Sequence, residues 1–152
     1  MRREIIDYLK FLMGAPFIKG YRLIGETHLH IQYYSEFEEF KSDHPMSEYT
    51  KEEFDQYFNE NDTLKKLLVG ESVRLLRQFS YLECVTIEIK SYDRVVVEVH
   101  SSRFILNKYF GFNIEDLSLG DNTWKSMFVD VYLADPAKRN ELYEKIVCKF
   151  NQ

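Results

Sequence analysis

Two histidines and a glutamate at alternating positions, Glu26-Thr27-His28-Leu29-His30, form the segment of this chain best suited to chemistry. In a strand, residues i, i+2 and i+4 share a face, about 6.6–7 Å apart per step. Two imidazoles and a carboxylate placed this way suit zinc or ferrous iron, with Glu26, His28 and His30 as ligands. A metal-dependent hydrolytic enzyme would follow, in which Glu88 or Glu98 activates a metal-bound water whose pKa the cation brings toward neutrality. The plainer alternative is a polar sheet face left in water, because antiparallel sheets commonly solvate one side. The chain then carries no cofactor and no catalytic residue.

A second group of residues suits binding rather than catalysis. Residues 36–62 hold ten acids against Lys41 and Lys51, a net charge of −8 in a chain whose total is −5. The remainder therefore sums to +3. Phe37, Phe40, Tyr49, Phe54, Tyr57 and Phe58 are interleaved with these carboxylates. Aromatic side chains anchor interfaces, and clustered negative charge steers a basic partner. A partner surface of Phe37, Glu38, Glu39, Glu52, Glu53, Phe54, Asp55 and Tyr57 is expected, engaging a basic protein such as a nuclease or toxin. On this reading the chain is a small acidic, cytoplasmic protein-interaction domain of inhibitor or immunity type. The alternative turns the same aromatics into the protein's own core and leaves the carboxylates as a solvated helix face. A small-molecule pocket between sheet and helices is a third class.

Several classes are disfavoured. A net charge of −5 and a pI near 5.4 argue against direct nucleic-acid binding, which needs Lys and Arg to neutralise phosphates. The six glycines are scattered, with no phosphate-cradling loop. Cys84 and Cys148 are too few for a disulfide framework and lack paired zinc-site spacing, so both are expected as buried thiols in a reducing compartment. No stretch approaches the roughly 20 apolar residues of a membrane span. The N-terminal apolar run is interrupted by Asp7 and Lys10, which favours a mature amphipathic helix over a signal peptide.

Two lone residues have sharper possible roles. Glu71 interrupts a leucine stripe and would be a general acid or base if buried, although Gly70 is expected to end the helix and leave it exposed. Cys84 opposite His100 would pair a thiolate with its base, against the commoner role of a small buried hydrophobe.

These side chains depend on the elements beneath them. Ile5, Ile6, Leu9, Leu12 and Met13 make one helical stripe, predicting a helix over 3–13 stopped by Gly14 and Pro16. Period-two alternation over 21–34 predicts one strand, with Glu26, His28, His30 and Gln32 on its polar side. Thr50-Lys51-Glu52-Glu53 is a capping box, and Asp62 is the next N-cap. Residues 85–89 and 95–99 read as a hairpin whose three-residue loop, Ser91-Tyr92-Asp93, opposes Cys84 to His100 and Thr86 to Glu98. A short helix ending at Gly111 follows. Alternation over 127–133 predicts a fourth strand that adds Asp130 to the polar face. Asp135-Pro136 starts a last helix burying Leu142, Tyr143, Ile146, Val147 and Phe150. The whole reads as one α+β domain over residues 1–152, an antiparallel sheet of about four strands with helices mainly on one face.

Overall fold

The computed structural model describes residues 2–148, so Phe150 lies outside the described residues. The architecture is α+β: a four-stranded sheet in the order β1-β2-β3-β4, packed with helices. No helix among the described residues is long and apolar enough to cross a membrane.

The predicted strand over 21–34 is two strands, β1 (Ile18–Ile24) and β2 (His28–Tyr34), paired antiparallel around Gly25-Glu26-Thr27. Gly25 and Glu26 both hold positive φ, +59° and +64°, and reverse the chain. A turn of three residues preserves parity, so Leu23 lands opposite Leu29 and the alternation runs through the turn unbroken. The sequence pattern therefore concealed a hairpin. β2 then pairs parallel with β3 (Cys84–Ser91), which makes the sheet mixed rather than wholly antiparallel. The crossover between them carries α2 (Phe37–Asp43), α3 (Lys51–Phe58) and α4 (Asn61–Gln78).

β3 and β4 (Arg94–Ser102) form the predicted hairpin in a register displaced by two residues: Cys84 faces Ser102, Thr86 faces His100 and Glu88 faces Glu98. The turn has only two residues, Tyr92 and Asp93, and a bulge at Val96 restores the parity that an even loop would have broken. The faces are consequently as expected. Val85, Ile87, Ile89 and Val99 are buried with Leu29, Ile31 and Tyr33 on the core side.

Local capping signals match the structure. Thr50 accepts from the Glu53 N–H to start α3, Ser102 accepts from Ile105 to start α5 (Arg103–Phe110), and left-handed Gly111 ends it. Asp135 accepts from Ala137 ahead of Pro136 in α6 (Pro136–Ile146). α1 (Arg3–Leu9) is shorter than predicted, and Leu12 reaches the core from the loop that follows. Asp62 caps nothing. It lies in the first turn of α4, 3.4 Å from Arg139.

Two expectations fail for tertiary reasons. α4 runs straight through Gly70, whose added Cβ would meet Leu133 at 3.2 Å; the glycine admits a neighbour rather than ending the helix. Glu71 is therefore buried. Its carboxylate accepts from the Met13 N–H at 3.0 Å and from Arg74 at 3.1 Å, fixing the loop after α1. Burial raises its pKa despite the opposing Arg74 charge and these hydrogen bonds. Residues 124–133 are a π-helix, not a strand. Trp124, Phe128 and Tyr132 recur every four residues and stack in sequence at 4.7 and 6.3 Å, a helical stripe coinciding with the period-two pattern.

Candidate functional site: the polar face of the sheet

The sheet face turned away from the aliphatic core gathers His28, His30 and Gln32 from β2, Thr86 and Glu88 from β3, and Glu98 and His100 from β4. Parity alone places them together, because each strand's core residues occupy the other face. Two substructures result.

In the first, Thr86 Oγ1 bridges two rings: His28 Nε2 lies 2.7 Å away and His100 Nδ1 2.9 Å away. One imidazole donates to the hydroxyl, which donates to the other. Burial, reinforced by the nearby His100, His30 and Arg22, holds the His28 pKa below its ordinary value.

In the second, one donor atom each from His30, Glu88 and Glu98 lies within 4.8 Å of the others. Glu88 and Glu98 are directly opposed across the β3–β4 ladder. Gln32 donates to Glu88 at 3.3 Å. His30 Nε2 is buried and comes to 2.7 Å of Glu88 Oε1, an ion-pair contact without the alignment of a hydrogen bond. Burial raises the Glu88 pKa, but its polar neighbours Glu98, His30 and Gln32 outweigh this and hold it below the usual carboxylate value. Beside them lies the Cys148 thiol, and burial together with the neighbouring Glu98 carboxylate pushes its pKa up to about 11.

The predicted ligands are thus separated. Glu26 is exposed in the β1–β2 turn, His28 belongs to the threonine relay, and only His30 joins the cluster. Glu88 and Glu98, expected to activate a metal-bound water, share the cluster with His30. Asp130 leaves the face altogether, since its π-helix pairs it with Lys125 at 2.9 Å. Cys84 faces Ser102 rather than His100, and burial raises its pKa, so the thiolate–base pair does not form. Cys148 gave no sequence signal, because its position beside β4 rests on its N–H bonding to the Glu98 carbonyl, a tertiary contact.

The acidic segment is arranged differently. Phe40, Phe54 and Phe58 are buried around Phe17, with ring centroids at 4.9, 5.1 and 6.0 Å. Phe54, offered as a partner anchor, is 1% exposed, and Phe37 and Tyr57 are half-buried against the core. Glu39 is also buried: it ion-pairs with Lys19 and accepts from the Tyr92 N–H at 2.7 Å. Glu38, Glu52 and Glu53 remain exposed, while Asp55 is half-buried and binds Lys51 at 2.8 Å. A cleft of about 370 Å³ lined by Phe40, His44, Ser47 and Tyr49 opens at the end of α2, close in sequence to exposed Met46.

No family model, curated protein or solved structure matches this chain.

Proposed function

We propose that this protein is a non-catalytic binding module that covers a basic surface on a partner protein, in the manner of an inhibitor or immunity protein acting on a cationic nuclease or toxin. The observation that supports this reading is the division of labour in residues 36–62. The large aromatics turn inward, and eight of the ten carboxylates are exposed: Glu36, Glu38, Asp43, Glu48, Glu52, Glu53, Glu60 and Asp62. The two lysines of the segment are already engaged, Lys41 with the Ser47 carbonyl and Lys51 with Asp55. A rigid helical platform presenting one sign of charge accelerates encounter with the opposite sign and disfavours like-charged partners. The aromatic residues hold the platform together, while exposed Tyr49 and Met46 next to the cleft supply apolar contact. Both cysteines are free thiols, in keeping with action in the cytoplasm.

The test is a pull-down with the wild type and a variant carrying Glu36→Lys, Glu38→Lys, Glu52→Lys and Glu53→Lys. A basic protein retained by the first and lost by the second, with circular dichroism unchanged, is the expected result. Equal recovery by both proteins would overturn the reading.

A further inference from the structure

The geometry points to a binding site for a divalent transition-metal ion formed by His30, Glu88 and Glu98 on the polar sheet face, independent of the acidic helical platform. Three observations converge on it. The donor atoms lie within 4.8 Å of one another. Ligands about 2.0–2.2 Å from one cation stand about 3–4.2 Å apart, so only small side-chain rotations separate this arrangement from a coordinated one. Each donor also comes from a different strand of one sheet, a scaffold that fixes position better than a loop.

The second observation concerns charge. Glu88 and Glu98 oppose each other directly across the β3–β4 ladder, which brings two carboxylates together in one small space. A divalent cation between them would offset the repulsion of the two like charges.

The third observation concerns the histidine. His30 is 8% exposed, and its buried Nε2 makes no well-aligned hydrogen bond, its close polar neighbour being the Glu88 carboxylate at 2.7 Å. Nε2 is turned toward the space shared with Glu88 and Glu98. A neutral imidazole would place its lone pair on a cation there. One nitrogen and two carboxylate oxygens suit Zn²⁺, Co²⁺, Mn²⁺ or Fe²⁺; the nitrogen donor disfavours Mg²⁺ and Ca²⁺, which take oxygen ligands. Three protein ligands leave positions for water, on the side where Glu98 is half-buried and His100 exposed.

The experiment titrates chelator-treated wild-type protein with Co²⁺ and with Zn²⁺, following Co²⁺ absorption and the heat of Zn²⁺ binding. Binding of one ion per chain is expected, in the micromolar range or tighter. Glu98→Gln and His30→Gln should each weaken it by about 100-fold or more, because two remaining ligands hold an ion poorly. Glu26→Gln, in the turn, should change it by less than about threefold. No binding by wild type up to about 1 mM metal would overturn the site whatever the variants do. So would loss of binding in Glu26→Gln with retention in Glu98→Gln. The wild-type titration does not depend on any variant folding, and its outcome leaves the partner-binding reading untouched.

Discussion

The two surfaces richest in ionisable groups are built in opposite ways. On α2 and α3 Glu38, Glu52 and Glu53 are exposed above aromatic rings that pack on Phe17, while Glu39 and Asp55 are taken up by Lys19 and Lys51. On the sheet the ionisable groups converge, because strand pairing aims neighbours at the same space; His30, Glu88 and Glu98 meet there, and His28 and His100 share Thr86. Divergent charge acts at long range and contributes little to stability, whereas convergent charge must be compensated locally by a proton, a hydrogen bond or an ion. A helix surface disperses what a sheet face collects. On the two proposals made above, these regions would take different partners, a broad basic surface for one and a single small cation for the other.

The comparison fails if either surface lacks the support assigned to it, and the most severe test is on the sheet. Val99 is fully buried beneath the β4 polar residues. Val99→Asp would place an unpaired carboxylate in the core at a cost of several kcal/mol, a large part of the ~5–15 kcal/mol stability of a domain. Insoluble or unfolded protein by circular dichroism is expected.

Phe54→Ala comes next. Its ring fills the space between Phe17 and Phe58, at 5.1 and 4.6 Å, and removing it should cost about 3–5 kcal/mol in denaturant unfolding. A loss below about 1 kcal/mol would mean that the aromatic cluster is not the foundation of the acidic platform.

A smaller effect should appear with pH. The fold holds the His28 pKa below its ordinary 6.5, by burial first and by His100, His30 and Arg22 second. Between that value and the lower one of the folded state, the unfolded chain takes up a proton that the folded chain refuses. Stability should therefore fall as pH drops through that window, and His28→Gln should flatten the slope in thermal melts. An unchanged slope would show that the depressed His28 pKa does not set it.

Much of this arrangement was legible in the sequence where the signal is local or depends on parity. The Thr50 capping box and Asp135-Pro136 name their helix starts because a cap bonds within three residues. The sheet's faces were readable because strand side chains alternate, which put His30 on one face with Glu88 and Glu98, although the same pattern also put Glu26 and Asp130 there. Parity also misled: a three-residue turn leaves alternation intact, so Glu26 read as a strand residue although it occupies the reversal, and Gly25 was the signal passed over. Gly70 and Glu71 were illegible for another reason. Leu133 and the Met13 N–H, which decide their environment, lie far away in sequence.

The smallest expected effect on stability belongs to the charges proposed to act on a partner, and it leads to the decisive measurement. Glu38→Gln, Glu52→Gln and Glu53→Gln together should shift stability by less than about 0.5 kcal/mol per site, since all three are exposed and glutamine preserves the capping box. With the basic partner recovered by the wild type, association rates at low salt should be compared for this triple variant and for Glu88→Gln with Glu98→Gln. The platform account predicts that the triple variant associates about tenfold or more slowly, with much of its salt dependence gone, while the sheet-face variant matches the wild type. An unchanged rate in the triple variant, or a slowing confined to the sheet-face variant, would contradict it.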